Sequence, residues 1–223
     1  MTDFTYTHII WDWNGTLFDD AWLCVEIMNG MLIRRNLPRI TPQRYEDIFS
    51  FPVSEYYRAL GFDFYDEPFE RLSDEFMGHY NRRQWECGLR DETREVLMLG
   101  RRRGITQSIL SAMKQETLNE MMAHFKLRDY FTDIVGLLDH HAFGKLDVAE
   151  EWLDAQSLDR QRVLLIGDTT HDYQVAQTLR VACWHIYGGH HSRARLAVSG
   201  TRIMESLLDV YSPPPDETEE GPD

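Results

Sequence analysis

The sequence predicts an α/β protein, a doubly wound Rossmann-like parallel sheet with an inserted helical cap domain. Three observations point there. Five short apolar runs end at polar or glycine residues, the habit of strands buried on both faces. Helical patterns separate the later runs, as in βαβ units. The first two runs stand far apart, and residues 12–105 between them are too rich in helical pattern and aromatics to be a linker.

The first strand is expected over Thr7–Trp11 and stops at a carboxylate, in Ile9-Ile10-Trp11-Asp12-Trp13-Asn14-Gly15-Thr16-Leu17. That ending puts Asp12 at the carboxyl end of a buried strand, where open α/β sheets hold ligands. Helices follow over Asp20–Arg35, Pro42–Phe49, Ser54–Leu60, Glu67–Trp85 and Asp91–Arg103. Residues 49–69 carry eight aromatics, enough to give the insert a core of its own. The remaining strands are expected at Thr106–Leu110, Ile134–Leu137, Val163–Ile166 and Ala182–Tyr187. Between them lie helices at Gln115–Phe125, Asp147–Gln156 and Asp172–Leu179. The division read from this is a core of residues 1–19 and 89–210, a helical cap of 20–88, and a disordered acidic tail of 211–223. A cap inserted after the first strand would sit over the sheet's carboxyl edge and could close on a ligand.

With 223 residues and 43% hydrophobic content, the chain can bury a substantial core. No apolar run reaches the roughly 18–20 residues needed to cross a bilayer. Met1-Thr2-Asp3 leads straight into the first strand, which leaves no room for a signal peptide, so a cytoplasmic protein is expected. The net charge is −14, and the five acids of Pro213–Asp223 leave −9 on the body. That charge argues against nucleic-acid and anionic-membrane partners. It leaves room for a small phosphorylated metabolite, because a local cation reverses the sign of a pocket. Cys24, Cys87 and Cys183 are odd in number and widely spaced, and suggest reduced buried thiols rather than disulfides or zinc. Oligomeric state stays open between monomer and homodimer.

Reactive groups stand at four strand ends: Asp12 and Asn14, then Ser111, then Lys145 before a helix, then Asp168 and Asp172 in Gly167-Asp168-Thr169-Thr170-His171-Asp172. A doubly wound sheet would bring them to one edge. Asp12 and Asp168 are hard oxygen ligands suited to Mg²⁺. With repulsion offset by the metal, the Asp12 carboxylate could attack phosphorus. Ser111 could donate to a phosphoryl oxygen and Lys145 could neutralise its charge. Asp172, one helical turn from Asp168, could hold metal-bound water or orient Lys145. Singly, these residues also read as turn formers, helix caps or a solvated lysine. Their joint order is what points to chemistry.

In these motifs the chain resembles the haloacid dehalogenase-like hydrolase superfamily, and most closely its phosphoglycolate-phosphatase-like branch with a helical cap. The likeness runs from about Thr7 to Leu208. Asp12–Leu17 match the pattern Asp-x-Asp-Gly-Thr-Leu/Val, Ser111 the second-motif Ser/Thr, Lys145 the third-motif Lys, and Gly167–Asp172 the Gly-Asp-x-x-x-Asp motif. The resemblance implies a Mg²⁺-dependent phosphatase working through a phospho-aspartate on Asp12. It implies a metal held by Asp12, Asp168, Asp172 and the Asn14 main-chain carbonyl. It also implies a phosphate site lined by Gly15, Thr16, Ser111, Ala112 and Lys145.

Asn14 departs from the pattern. The family's second Asp is its general acid and base, and an amide can serve as neither; losing such a group typically slows turnover by about 10²–10⁴-fold. Three explanations stand. The substrate has a good leaving group, such as an acyl or aryl phosphate. Another residue supplies the proton, with His190 and His191 after the last strand as candidates. Or the protein binds phosphate without turnover, as a phosphate-sensing or partner-binding protein. If the amide limits the rate, Asn14→Asp is expected to raise it. Dehalogenase chemistry is disfavoured by Asp168 and Asp172. Phosphonatase chemistry is disfavoured because residues 20–88 contain no lysine to form a Schiff base. Arg101-Arg102-Arg103, Met121-Met122 and His140-His141 are expected to be structural.

Overall fold

The computed structural model describes residues 5–137 and 145–212, with side chains for all of them except 145–147. His140-His141 and the tail beyond Ser212 lie outside the described residues. Six strands form one sheet in the order β5-β4-β1-β6-β7-β8, every neighbouring pair parallel. The strands are β1 (His8–Trp11), β4 (Thr106–Lys114), β5 (Asp133–Leu137), β6 (Val163–Gly167), β7 (Ala182–Ile186) and β8 (Ile203–Met204). The expected five are there, and β8 adds a short edge strand. Two-residue β2 (Phe18–Asp19) and β3 (Gly88–Leu89) pair antiparallel and bracket the helical insert.

β1 is the switch point of the sheet. The chain builds outward from it to β4 and β5 on one side and to β6, β7 and β8 on the other. In such sheets the crevice opens at the carboxyl ends of the strands flanking the switch. Alternation along β1 feeds both faces: Ile9 and Trp11 enter one apolar cluster and Ile10 the other. The first cluster continues through Leu17, Phe18 and Leu23 into Tyr45, Tyr56 and Leu72 of the insert. Core and cap therefore share apolar packing on that face.

The insert consists of α1 (Ala21–Arg34), α2 (Pro42–Ile48), α3 (Val53–Ala59) and α4 (Phe69–Arg83). α2 starts where Thr41 accepts from Arg44 N at 3.1 Å and Pro42 opens the first turn. The core helices are α5 (Thr93–Arg102), α6 (Gln115–His124), α7 (Lys145–Asp154), α8 (Thr170–Leu179) and α9 (Arg193–Ala197). No helix among the described residues is long and apolar enough to cross a membrane.

Most element ends fall within one or two residues of the sequence reading, and two boundaries differ in ways that bear on the site or the tail. β4 does not stop at Leu110. Its ladder shifts register after Leu110 and resumes at Lys114, so Ser111 sits in an irregular stretch of strand. The chain also packs beyond residue 210: Tyr211 closes a 3-10 turn, donates to Val96 O at 3.2 Å and lies under Arg103 at 4.7 Å. One aromatic ring with a polar tip is enough to pull the start of an acidic tail into the fold. Arg101 and Arg102 end α5 as expected, and Met121 and Met122 are buried.

Candidate active site

The turn after β1 folds onto itself. Asp12 N donates to Ile166 O at 2.9 Å and so extends the sheet ladder by one residue. Trp13 O then accepts from Thr16, Leu17 and Phe18 N at 3.0–3.2 Å, while the buried Trp13 ring stacks on Phe18 at 5.2 Å. Gly15 has φ +72°, and a Cβ there would stand 2.2 Å from Asp168 Oδ2. A Cβ on Gly189 would meet the same oxygen at 2.2 Å. The two glycines let the first turn and the loop after β7 close on Asp168 from both sides.

Asp12, Asp168 and Asp172 converge. Their carboxylate oxygens lie within 4.8 Å of one another, and all three residues are buried. Thr16 Oγ1 donates to Asp168 Oδ1 at 2.9 Å and lies 3.4 Å from Asp12 Oδ2. His190 N donates to Asp168 Oδ2 at 2.6 Å. Burial pushes the Asp168 carboxyl above its ordinary range; Asp172 adds to that shift, and His190 with its backbone bond opposes it. Asp172 also closes a capping box on α8, where its Oδ2 accepts from Thr169 N at 3.1 Å and Thr169 Oγ1 at 2.7 Å. Three crowded, buried, oxygen-only ligands suit a hard divalent cation, which would relieve their mutual repulsion. The donor set fits Mg²⁺.

The other expected residues are placed unevenly. Ser111 is buried at the same sheet edge, one residue beyond the level of Asp12, since Trp11 pairs with Ile109. Its Oγ accepts from Met113 N at 3.0 Å. Ala112 is exposed beside it. Lys145 opens α7, and its side chain lies outside the described residues. Gly15 and Thr16 are both engaged within the turn. Gly15 N donates to Phe18 O at 2.8 Å and Asp20 Oδ1 at 3.0 Å, so its N–H is used inside the turn. The Thr16 hydroxyl is engaged by the carboxylates, because in so tight a turn they are its nearest acceptors.

The Asn14 side chain is turned toward Asp20 and the cap. Its Nδ2 donates to Asp20 Oδ2 at 2.8 Å and to the hydroxyl of Tyr80, on α4, at 2.8 Å. Tyr80 OH in turn donates to Asp20 Oδ2 at 2.7 Å. His190 Nε2 approaches Asp20 Oδ1 at 3.3 Å, and its Nδ1 meets Tyr45 OH of α2 at 2.8 Å. Burial alone would raise Asp20; His190 and the three side-chain bonds outweigh it and hold the carboxyl below its ordinary value. Burial likewise opposes the charge on His190, but Asp20, with Asp168 and Asp12, holds it up at about 9. His191 behaves oppositely. Burial, then the positive charges of Arg195 and His190, pull it down to about 3, and its Nδ1 accepts from Thr170 N at 3.1 Å.

Sequence reasoning named His190 but missed Asp20, Tyr80, Tyr45 and Arg90. Arg90 straps the site from behind: Nη1 donates to Gly15 O and Nη2 to Tyr187 O, each at 2.7 Å. The only sequence signal for Asp20 was an acid just after the turn, and for Arg90 a cation where the chain re-enters the core.

The sequence pattern of haloacid dehalogenase-like hydrolases matches residues 9–186. A 5'-nucleotidase of Pseudomonas aeruginosa is 27% identical over 198 residues, covering 86% of this chain and 87% of its own. A predicted phosphatase from Clostridium acetobutylicum superposes with a TM-score of 0.76 at 21% identity, over 92% of this chain and 96% of its own. A predicted phosphoglycolate phosphatase from Haemophilus somnus superposes at 0.72 and 16% identity, over 92% and 96%. With the family pattern spanning β1 to β7 and the fold shared almost end to end, the chain belongs to the haloacid dehalogenase-like hydrolase family.

Proposed function

We propose that this chain is a Mg²⁺-dependent phosphatase of small phosphorylated metabolites that transfers the phosphoryl group to Asp12. The observation that carries this reading is the buried cluster of Asp12, Asp168 and Asp172 at the switch point of the sheet. Asp12, Asp168 and Asp172 would hold the cation, with the Asn14 carbonyl as the remaining protein ligand implied by the family pattern. When bound, the ion supplies positive charge that lets a carboxylate and a phosphate approach. An Asp12 oxygen then attacks phosphorus, the bond to the leaving oxygen breaks, and its electron pair departs with that oxygen. Water attacks the resulting acyl phosphate at phosphorus, which releases inorganic phosphate and restores the carboxylate. Ser111 donates to a phosphoryl oxygen, Lys145 offsets its charge, and Thr16 keeps Asp12 and Asp168 in register. Residues 20–88 form the cap that shields these steps from water.

Asn14 can neither protonate the leaving oxygen nor activate water. The reading therefore favours substrates whose leaving group departs without a proton, acyl and aryl phosphates first. The 5'-nucleotidase relative adds nucleoside 5'-monophosphates to the compounds to try, and the fold relative adds phosphoglycolate. Phosphate release measured over that panel, with and without Mg²⁺, tests the proposal. Metal-dependent release from at least one class, lost in Asp12→Asn, supports it; release unchanged in Asp12→Asn overturns the mechanism. Phosphate binding without turnover is the second reading, and the hydrogen-bonded state of the Asn14 amide is what favours it.

A further inference from the structure

The Asp20 carboxylate takes four donors. Oδ1 faces Gly15 N at 3.0 Å and His190 Nε2 at 3.3 Å; Oδ2 faces Asn14 Nδ2 at 2.8 Å and Tyr80 OH at 2.7 Å. Two lone pairs on each oxygen make this a saturated set. Tyr80 gives its one proton to Asp20, so it accepts from Asn14, and both Asn14 amide protons are used. The chemistry fixes the orientation of the amide, since the flipped form would set its carbonyl oxygen against a carboxylate. Asp20 immediately precedes α1, and its partners come from the turn after β1, the distant cap helix α4 and the core loop after β7. Asp20 is 1% exposed and Tyr80 6%, while Asn14 is half-buried at the mouth of the set.

We propose that Asn14 is a positioning residue whose amide, clasped between Asp20 and Tyr80, ties the turn that carries Asp12 to cap helix α4. The functional side of this inference rests on reading Asp12 as the nucleophile, but the clasp itself does not. Position 14 requires a donor here. A carboxylate in the same place would stand 2.8 Å from Asp20 Oδ2, and two ionised carboxylates at that distance repel. Asn14→Asp therefore opens the seam, the reverse of the gain expected from the family pattern alone. The amide and the carboxylate form a matched pair, so exchanging them keeps one donor and one acceptor at the seam.

Backbone hydrogen exchange over residues 14–20 and α4 decides the matter without any activity, in the full chain and four variants: Asn14→Asp, Asp20→Asn, Asn14→Asp with Asp20→Asn, and Tyr80→Phe. Each carboxylate-altering single change is expected to speed exchange in both segments at least about tenfold, the scale of losing a buried charge-assisted bond. The double exchange is expected to return it to within about threefold of the native chain. Tyr80→Phe should loosen α4 more than the turn. If Asn14→Asp fails to fold, the folded double variant carries the test. Unchanged exchange in Asn14→Asp, or a double variant looser than both singles, overturns the clasp. A companion assay on an aryl phosphate separates the two levels. Asn14→Asp should lower kcat with KM changed less than about threefold, since the Ser111 contact is untouched. A rise in kcat would mean that position 14 awaits a carboxyl, and would also overturn the proposal. If the native chain turns over no phosphate, the exchange result still stands.

Discussion

The two halves of the site are built on opposite electrostatic rules. At the sheet edge, Asp12, Asp168 and Asp172 crowd three carboxylates within 4.8 Å, and burial pushes Asp168 toward its neutral form. At the cap seam, a few residues along the chain, Asp20 meets four donors and is held ionised by His190. Both sets of carboxylates are buried. Acids crowded against one another make a place for a ligand's charge, whereas an acid matched donor for donor makes a joint. Thr16 and the His190 backbone touch Asp168, and the His190 ring touches Asp20, so the two halves share a boundary.

The largest effect should come from breaking the sheet-edge half. Asp12→Asn is expected to lower phosphate release by about 10⁴-fold or more, as loss of a nucleophile does. Thermal stability should hold or rise, because one of three crowded charges is gone. Gly15→Ala strikes the boundary itself. It forces φ +72° on a residue with a Cβ and drives that Cβ into Asp168. The backbone term alone costs about 1–2 kcal/mol. For a chain of this size that lowers Tm by about 2–8 °C, and Mg²⁺ binding, followed by calorimetry, should weaken with it.

The neighbouring histidines sharpen the contrast through pH. His190 is raised from 6.5 to about 9, so its pairing with Asp20 stabilises fully below about pH 6.5 and is lost as pH climbs through 9. His191 is lowered from 6.5 to about 3, so its neutral form stabilises fully above pH 6.5 and is lost as pH falls toward 3. His8, lowered to about 4 chiefly by burial, adds to the acid-side loss. Tm measured against pH without metal should fall on both sides of about 6.5. His190→Gln should flatten the alkaline limb, and His191→Gln should shrink the acid one. An alkaline limb that survives in His190→Gln would remove the charged pair from the account.

The smallest effect is expected at the rim. Arg195 Nη1 donates to Phe49 O and reaches Glu46 O at 3.5 Å, and Ser192 N donates to Glu46 O at 3.2 Å. Arg195→Ala should loosen α2 by about 1 kcal/mol, visible as faster exchange there, and leave turnover within about threefold.

The difference between the halves also explains what could be read from the chain. Asp12, Asp168 and Asp172 follow apolar strands, and parallel register carries strand ends to one edge without further information. The same logic gave the five main strands and the insert after the first turn. Ser111 shows its limit: an irregular register places it within β4, because Gln115 clamps Gly136 N at 2.7 Å and Ile134 O at 3.1 Å from beyond the expected strand end. The seam has no periodicity to read. Asn14, Asp20, Tyr80 and His190 are joined only by matching donors and acceptors across distant segments, and a lone Tyr on a helix carries no mark of its partner. Asn14 therefore looked like a missing acid, although its donors are what the fold uses.

The central claim is that Asp12 receives the phosphoryl group. Rapid quenching during turnover of an aryl phosphate with Mg²⁺, then borohydride reduction and peptide mass spectrometry, tests it most directly. An acyl phosphate on Asp12 is reduced to homoserine, so the account predicts that conversion at residue 12 alone, absent without Mg²⁺ and absent in Asp12→Asn. Phosphate release with no reduction at Asp12 at any quench time would contradict it.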